Sequence, residues 1–472
     1  MIDTKYIREK ILDLAVRGKL VDQDPKDGDA RDLLEEIQKE KEELIKAKKI
    51  KREKKLPEII DEEIPFEIPD NWVWVRLGEV TNYGNNVQVK PELIESNSYI
   101  IELEDIDKFN NKLLSCDKNR IIKSSKNKFS SGEVLYGKLR PYLKKCIIAE
   151  FSGYCSTEIM PFIGYSNIYS SYILHYMMSP FINQIIDKIT YGVNLPRLGT
   201  KDARNLPFPL PPLAEQERIV EKIEEAFALL DEIEEAQDHI RILGEQIKSK
   251  TLDMAVRGEL VPQDPSDGNA KDLLKEIQAE KENLIKAKKI KKEKKFPEIG
   301  EEEIPFDIPD NWLWVRLGDV TNVIMGQSPP GSTVFDGDDE IEFHQGKTYF
   351  SDKYLNPSNK FTTKPKKILD PENIVLSVRA PVGKVNLNPN TICIGRGLCG
   401  LVTYKDLSNL FIYYYLCNLE KTFIMKSTGT TFQAINKDTI VNQILALPPL
   451  TEQERIVEKI EEIFAAVDAM IE

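Results

Sequence analysis

The sequence has few of the residues that metal centres and covalent catalysts use. It contains 3 histidines and 6 cysteines in 472 residues, and the histidines are scattered. No two cysteines have the CxxC spacing that is typical of zinc sites. We therefore expect buried free thiols and no metal centre. The cysteines are Cys116, Cys146, Cys155, Cys393, Cys399 and Cys417.

Long hydrophobic runs are also missing. No apolar stretch approaches the ~20 residues that a membrane-spanning helix needs, and the opening MIDTKYIREK lacks the apolar core of a signal peptide. The composition, 41% hydrophobic and 30% charged, is ordinary for a soluble protein, and the length allows more than one core. These features predict a cytoplasmic protein.

Several catalytic motifs are absent as well. The chain has no Walker loop GxxxxGK[ST], which excludes a nucleotide-driven motor of that class. An amino-directed DNA methyltransferase needs an Asn/Asp-Pro-Pro-aromatic loop, whereas the Pro-Pro pairs here read SPPG and LPPL. No convincing cluster of carboxylates with a lysine suggests a nuclease. We therefore predict that this chain has no active site of its own.

What the chain does contain is an internal duplication. The segment LPPLAEQERIVEKIEEAFALLDEIEE at 210–235 returns as LPPLTEQERIVEKIEEIFAAVDAMIE at 447–472. A longer block that begins ILDLAVRGKLV at Ile11 returns as TLDMAVRGELV from Thr251, and the match continues through IPDNWVWVRLG and IPDNWLWVRLG. Two unlike segments, roughly 85–209 and 325–446, lie between the repeats. The chain is therefore two copies of one frame that carry two different inserts.

Each LPPL sequence is followed by a predicted helix, because proline is tolerated just ahead of a first turn. The first helix, from about Ala214 to Val256, would be on the order of 65 Å long. Its apolar and small residues recur in the three-and-four steps of a heptad seam. Polar Gln237 and the gap at Gly244 weaken this seam, so an ordinary amphipathic core helix remains the alternative. The seam residues are Ile223, Ala226, Leu230, Ile233, Gln237, Ile240, Gly244, Ile247 and Met254.

The offsets between the copies are 240 residues for the first block and 237 for the proline-led helix, so both chain ends fall within one helix of the repeat. We expect the two ends to meet. The predicted fold is α+β, with two mixed α/β domains separated by two long antiparallel helices that form a coiled coil in a pseudo-two-fold circular arrangement. The predicted parts are repeat helices and a basic linker at 1–69, a first insert domain at 70–211, a central repeat with the long spacer helix and a second helix at 212–309, a second insert domain at 310–448, and a C-terminal spacer helix at 449–472.

The net charge of −13 taken alone argues against a polyanionic ligand, but the distribution of charge along the chain reverses this conclusion. Residues 71–211 hold 17 Lys and Arg against 13 Asp and Glu, and residues 311–448 hold 14 against 12. Two slightly basic inserts on an acidic frame suit charge-driven binding of a polyanion at two places. The strongly basic run KAKKIKREKK at 46–55 is interpreted either as a solvated helix end or as a contact for phosphates or an acidic protein.

One candidate contact in each insert is a basic stretch, GKLRPYLKK in the first and SVRAPVGK in the second. Arginine and lysine contact phosphates and also bind guanine, and a neighbouring aromatic ring can pack on a sugar or base. Spacing alone does not separate base reading from phosphate contact, and ordinary charges on a strand face remain the alternative. The candidates are Lys138, Arg140, Tyr142, Lys144, Lys145, Arg379 and Lys384.

A second candidate contact is the loop just before each exit, YGVNLPRLGTK and TGTTFQAINK. Amide side chains there suit adenine readout, although a purely structural polar loop is the alternative. The stretches GRG and HQGK are weaker candidates in the second insert. The residues are Asn194, Arg197, Lys201, Thr431, Gln433 and Lys437, with Gln345, Lys347 and Arg396 from the weaker stretches.

The duplicated LPPL-x-EQERIVEKIEE helices, the LAVRG and MAVRG blocks and the IPDNW openings resemble the specificity subunit of type I restriction-modification systems, and the likeness covers essentially the whole chain. It implies that the inserts are target-recognition domains, each reading one half of a bipartite, asymmetric site in double-stranded DNA. The repeated helices would then set the gap between the half-sites and dock the methyltransferase subunits.

The resemblance also implies partners. Two modification subunits would bind S-adenosylmethionine and methylate adenine at N6, and two restriction subunits would use ATP and Mg to translocate and cleave DNA. The chain itself would need no cofactor. A coiled-coil scaffold that does not bind DNA is the alternative, but it predicts acidic inserts, contrary to the charge count. An autonomous enzyme would methylate or cleave DNA without partners.

Overall fold

The computed structural model describes residues 1–52, 54–108, 111–116, 118, 120–192, 195–338, 340–428 and 433–472. The chain divides into two compact units, Met1–Ala236 and Gln237–Glu472. Each unit mixes helices with small sheets, so the predicted α+β class is confirmed. The closure of the chain ends and the five-part division remain predictions.

The first unit begins with helices and then enters its insert through a short strand. Its helices are α1 Thr4–Val16, α2 Ala30–Lys46, α3 Leu77–Val80, α4 Ser170–Met178, α5 Pro180–Ile189, α6 Thr200–Arg204 and the first part of α7 Leu213–Arg257. Its strands are β1 Val73–Arg76, β2 Val87–Val89, β3 Ile100–Ile101, β4 Lys126–Phe129, β5 Val134–Gly137, β6 Cys146–Ile148, β7 Gly153–Ser156, β8 Ile159–Phe162 and β9 Pro207–Leu210. Strands β2-β4-β7-β3 form one sheet and β6-β5-β8 another.

The second unit begins inside α7 and repeats this order. Its further helices are α8 Ala270–Lys286, α9 Leu317–Val320, α10 Asn409–Asn418, α11 Glu420–Met425, α12 Lys437–Val441 and α13 Leu450–Ile471. Its strands are β10 Leu313–Arg316, β11 Thr321–Met325, β12 Val334–Asp336, β13 Ile341–His344, β14 Lys360–Thr362, β15 Ile368–Leu369, β16 Ile374–Ser377, β17 Val385–Leu387, β18 Ile392–Ile394, β19 Leu398–Thr403 and β20 Ile444–Leu447. Strands β11-β19-β16-β17 and β12-β14-β13-β18-β15 form its two larger sheets.

Each insert enters and leaves through one antiparallel strand pair. In the first unit β1 pairs with β9, with Val73 opposite Leu210. In the second unit β10 pairs with β20, with Leu313 opposite Leu447. Because the prolines that follow each exit strand open α7 and α13, the pair also connects the insert directly to the frame helix. The two ends of an insert are therefore neighbours.

The long helix α7 is continuous from Leu213 to Arg257, close to the predicted bounds. The predicted seam is only partly buried. Ile223 and Leu230 are buried, whereas Ile240 and Ile247 are exposed. Gly244, which looked like a gap, lies where α7 meets α13, and an added Cβ atom would be 2.6 Å from Ile471 Cδ1. The missing side chain therefore permits a close helix approach.

Within each unit two frame helices pack antiparallel. In the first unit Arg8 of α1 forms an ion pair with Asp231 of α7 at 2.6 Å and lies over the ring of Phe227. In the second unit Lys248 of α7 forms an ion pair with Asp468 of α13 at 2.5 Å and lies near the ring of Phe464. The same pairing thus recurs in both copies of the repeat.

A buried glutamate connects the frame helix to the start of the first insert. Glu215, in the first turn of α7, has no exposed surface. Its carboxylate accepts hydrogen bonds from Trp72 Nε1 at 2.8 Å, Gln23 Nε2 at 2.5 Å and Asn71 Nδ2 at 3.4 Å. A buried carboxylate is tolerated only when donors satisfy it, and these three donors come from two separate segments.

The second unit repeats this contact. Glu452 in α13 is likewise fully buried. It accepts from Trp312 Nε1 at 2.9 Å, Gln263 Nε2 at 2.5 Å and Asn311 Nδ2 at 3.4 Å. The Glu of the EQER motif and the Trp of the IPDNW motif are therefore partners, although they lie about 140 residues apart in sequence.

The other polar residues of the motif hold neighbouring segments. Gln216 donates to Pro211 O at 2.9 Å and accepts from Tyr169 N at 3.1 Å. Arg218 donates to Asp22 O at 3.0 Å and pairs with Asp27 in the turn before α2. The equivalent Gln453 and Arg455 make the same types of contact in the second unit. The motif is thus a structural signature of the frame.

Each unit has one large core and one smaller core. The large core joins frame helices to the insert, as in the first unit, where Ile219 of α7, Trp72 of β1's entry turn and Tyr176 of α4 belong to one cluster. The smaller core, around Phe129 and Ile159, lies within the insert alone. Because the large core is shared, the frame orients the insert that it carries.

The apolar stretch SSYILHYMMSPFINQIIDKI at 170–189 predicts one helix, but the structure has two. Ser179 is extended, with φ −64° and ψ 147°, and Pro180 begins α5. A residue before proline is disfavoured in the helical region, which explains the break. The stretch at 407–425, which also predicts one helix, is divided at Leu419 between α10 and α11.

The sequence AVRG at the end of α1 predicts a left-handed cap at Gly18. The structure confirms this cap, with φ +66°.

The cysteines are free, and four of the six, Cys146, Cys155, Cys393 and Cys399, are buried. Burial raises the pKa of the Cys399 thiol to about 12, so this thiol is unreactive at neutral pH.

Among the described residues, no helix is long and apolar enough to span a bilayer.

We expect Glu452→Ala to destabilise the second unit by about 3 kcal/mol, because it leaves the Trp312 indole and the Gln263 amide as unsatisfied donors at ~1–3 kcal/mol each. Urea denaturation followed by tryptophan fluorescence measures this change. The control is Glu454→Ala, two residues further along α13 and exposed, which should leave the midpoint unchanged. Equal midpoints for the two variants would contradict the assigned role of Glu452.

Candidate nucleic-acid interface

The two candidate stretches of the first insert lie side by side. After β5, residues 138–140 run next to residues 196–198 of the exit loop. Leu198 N donates to Lys138 O at 3.0 Å, and Arg140 N donates to Pro196 O at 2.7 Å. Neither stretch predicts this pairing by itself, and the two are separated by almost 60 residues.

The second insert has the same backbone arrangement. After β16, Arg379 lies opposite Ala434 of the exit loop. Ile435 N donates to Val378 O at 3.1 Å, and Ala380 N donates to Gln433 O at 3.1 Å. The inserts share little sequence, yet both place a basic stretch against the loop before the exit. We call this pair of segments the candidate face of each unit.

The weaker candidates of the second insert join the same face. Val378 N donates to Gly397 O at 3.0 Å, and Gly397 N donates to Gln345 O at 3.1 Å. A Cβ atom on Gly397 would be 2.7 Å from Gln345 O, so this approach requires glycine. GRG, HQGK, the basic stretch and the exit loop therefore form one continuous backbone network.

One short turn shapes the candidate face of the first unit. Arg140 and Lys144 have φ +52° and +50°, and they flank the single turn Pro141–Leu143. Left-handed backbone at a non-glycine residue is uncommon and costs energy. The turn leaves Arg140 and Tyr142 exposed, with 53% of Tyr142 accessible. These side chains are available to a ligand.

The candidate side chains fall into two groups. Four candidate cations are ion-paired: Lys144 with Glu9, Arg197 with Glu158, Lys384 with Glu420 and Lys437 with Glu293. Lys145 donates to Leu103 O at 2.6 Å. The remaining six have no ion-pair partner within the described part of the chain. These are Lys138, Arg140 and Lys201 in the first unit, and Lys347, Arg379 and Arg396 in the second.

The polar candidates of the exit loops are only partly described. Gln345 and Gln433 are both exposed at the candidate face of the second unit. The predicted contacts Asn194 and Thr431 lie outside the described residues. Among the described candidates, the exposed amides are therefore those of the second unit, and adenine readout by them stays a prediction.

A buried arginine holds each exit turn. Arg316 donates to Asn442 O at 2.9 Å and to both carboxylate oxygens of Glu303, at 2.6 and 2.7 Å. These bonds lower the pKa of Glu303 to about 2, so the pair stays charged at neutral pH. Arg76 makes equivalent bonds to Asn205 O and Glu63 in the first unit.

A buried histidine lies beneath the candidate face of the second unit. His344 Nε2 is 3.1 Å from Glu342 Oε1, and only 1% of the His344 side chain is exposed. Burial lowers the pKa of His344, which favours the neutral imidazole. His344 O accepts from Gly395 N at 2.7 Å. The histidine therefore supports the GRG loop from inside.

Comparisons with known proteins show the family of the chain. A family model described as the type I restriction modification DNA specificity domain matches residues 69–242 and 309–471, more than half of the chain. The EcoAI specificity subunit of Escherichia coli is 30% identical across 97% of this chain and 88% of that protein.

The chain belongs to the type I restriction enzyme specificity subunits. A putative specificity subunit of this family, MjaX of Methanocaldococcus jannaschii, is 32% identical over 64% of this chain and 62% of its own length. Among solved structures, a chain from a type I restriction-modification complex has a TM-score of 0.64 at 30% identity, covering 86% of this chain and 93% of that one. The HsdS subunit of Thermoanaerobacter tengcongensis has a TM-score of 0.53 at 28% identity, covering 86% and 92%.

The two inserts of this specificity subunit are therefore DNA specificity domains, which confirms the role in DNA recognition predicted for the chain. The individual contact residues remain predictions. Sequence reasoning missed the positioning residues Glu215, Trp72 and Arg76 and their counterparts in the second unit. These residues could have been found from the sequence, because each is identical in the two copies. A contact that belongs to the shared frame uses the same residue type in both copies.

We expect Arg379→Ala to weaken DNA binding by about 1–3 kcal/mol, as for loss of one good base-edge contact, and to relax base preference in one half-site. Selection from random duplexes, followed by sequencing, measures both effects. Lys384→Ala is the matched control, because Lys384 is equally part of SVRAPVGK but is paired with Glu420 at 3.1 Å. If the two variants bind DNA identically, Arg379 is not one of the DNA contacts.

Proposed function

We propose that the chain is the sequence-recognition subunit of a DNA methylation and restriction complex. Each specificity domain reads one half of a bipartite, asymmetric site. The observation that carries this proposal is the shared backbone network of the two candidate faces, on which different side chains are mounted. The first face presents Lys138, Arg140 and Lys201, whereas the second presents Gln345, Arg379 and Gln433. Different donors and acceptors select different bases, so the half-sites differ.

The chain acts without catalysing a reaction in this proposal. Two modification subunits dock on the frame helices, bind S-adenosylmethionine and methylate adenine at N6. Restriction subunits use ATP and Mg to translocate and cleave. The name of the EcoAI relative, a restriction enzyme specificity subunit, and the solved type I complex support this division of labour. The chain itself needs no cofactor for binding DNA.

Methylome sequencing of a host that expresses the chain with its modification subunit tests the proposal. The expected result is N6-methyladenine within a single motif that has two unlike half-sites and an unread gap. Expression of the modification subunit alone is the control and should give no such motif. Methylation or cleavage by the purified chain alone would identify an enzyme instead, and a chain that does not bind DNA in a gel-shift with its partners would be a scaffold.

The frame helices are proposed to set the gap between the half-sites. We expect insertion of four residues at the 236/237 junction of α7, together with four residues after Glu472, to lengthen the gap by roughly two base pairs, at ~1.5 Å per helical residue and ~3.4 Å per base pair. The half-site bases should not change. Methylation mapping of the variant gives both quantities.

A four-residue insertion after Asn97, in an exposed turn before β3 of the first insert, is the control and should leave the gap unaltered. Altered half-site bases with the original gap would show that the helices do not act as a ruler.

A further inference from the structure

Two short segments of the frame carry a large share of its positive charge. KAKKIKREKK at 46–55 and KAKKIKKEKK at 286–295 each hold seven Lys or Arg and one Glu. We call them the basic runs. Each begins at the last residue of α2 or α8, where positive charge interacts favourably with the helix dipole, and continues beyond it. A dipole acts only over the last turn, so it does not account for the rest of the run.

The positive charges of the basic runs are exposed and almost all lack an ion-pair partner. All seven Lys and Arg side chains in each run are exposed. Among these fourteen residues, the described part of the chain contains one ion pair, between Lys55 and Glu58. Like charges at this density repel one another, which costs stability unless a polyanion is bound. The frame thus maintains two strongly cationic surfaces that its own carboxylates barely neutralise.

The helix ends show a further preference for lysine. Lys48 and Lys288 follow the C-cap residues of α2 and α8 and have the left-handed conformation, with φ +55° and +59°. Lys49 N donates to Leu44 O and Lys48 N donates to Ile45 O, the bonds of a cap that usually contains glycine. Both copies use lysine at a position where glycine would be less strained, so both copies retain a charge there.

The segment after each basic run is fixed to the insert of its own unit. Arg76 donates to Pro57 O at 3.0 Å and Glu58 O at 3.0 Å, and also to Asn205 O at the end of α6. Helix α6 has five residues and contains Lys201 of the candidate face. The end of the first basic run is therefore held one short helix away from that face.

The second unit gives a direct contact between the run and the face. Glu293, the single acidic residue of the run at 286–295, pairs with Lys437 at the start of α12 at 2.7 Å. The same carboxylate is 3.8 Å from Lys281 of α8. Arg316 fixes the following segment through Pro297 O at 3.3 Å and Glu298 O at 3.2 Å. The run thus adjoins the candidate face of its unit.

We propose that the two basic runs bind the phosphates of the DNA that flanks each half-site, and this rests on the proposed function above. Phosphate contacts carry no sequence information, whereas contacts to base edges do. An element of nearly identical sequence beside two unlike specificity domains fits the first role. The runs would supply affinity and register, and the inserts would supply discrimination.

An acidic protein surface is the competing ligand. The charge and exposure of the basic runs suit an acidic protein surface equally well. Such a protein could dock, however, without the runs lying next to the candidate face. The contact of Glu293 with Lys437, and the arginine that ties each run's exit to the turn under the face, place the runs beside DNA-reading segments. Location therefore favours DNA.

The test uses the full chain assembled with its modification subunits and a duplex that contains the mapped motif. Affinity is measured by fluorescence anisotropy at several salt concentrations. For the variant Lys289→Gln, Lys291→Gln, Lys292→Gln, we expect the slope of log K against log salt to become shallower by about 0.9 for each lost phosphate contact, hence on the order of 2–3. The ratio of affinities for the motif and a scrambled duplex should stay the same.

The matched control is Lys250→Gln, Lys271→Gln, Lys275→Gln, which removes three exposed charges from α7 and from the other end of α8. Its slope should equal that of the parent. A basic-run variant with the parental slope would overturn the inference and leave the proposed function standing. The parental slope combined with loss of a modification subunit on size-exclusion chromatography would also overturn it, in favour of the acidic protein surface. A parent chain that does not distinguish the motif from the scrambled duplex would refute both proposals.

Discussion

The fold depends on a carboxylate that is removed from water at the start of each frame helix. Glu215 and Glu452 are fully buried, and each collects an indole N–H and two amide donors from segments distant in sequence. An ion in this environment is stable only while those donors stay in place. The contact therefore fixes three segments at once: the turn after the first repeat helix, the entry to the insert and the frame helix itself. Everything that the insert presents to DNA is positioned from this point.

The two candidate faces have a common backbone arrangement but different side chains. Both units hold the basic stretch against the exit loop with the same pattern of amide-to-carbonyl bonds, at residues 138–140 with 196–198 and at 378–380 with 433–435. Main-chain bonds do not depend on side-chain identity, so the segments can differ in sequence without losing their geometry. Discrimination between bases is then a property of the exposed side chains alone.

Much of the frame was predictable because its sequence occurs twice in the chain. The α+β class, the bounds of α7 and the cap at Gly18 follow from periodicity, proline position and duplication, which are local signals. The break at Ser179 was missed because the apolar pattern continues through it, although Pro180 marks it. The pairing of the two candidate stretches was not predictable, since a β-bridge between residues 139 and 197 leaves no trace in either stretch alone. For the same reason the sequence could not distinguish Arg140, which has no ion-pair partner in the described part of the chain, from Lys144, which pairs with Glu9.

The adjacent ends of each insert have a consequence for how such a chain can change over time. Because β1 and β9 lie side by side, as do β10 and β20, the whole segment between them can be replaced by another of different length without moving its two attachment points. A replacement needs to keep only the apolar surface that completes the shared core. A single recombination event inside the gene could thus give the lineage a new target sequence while the frame helices are inherited intact.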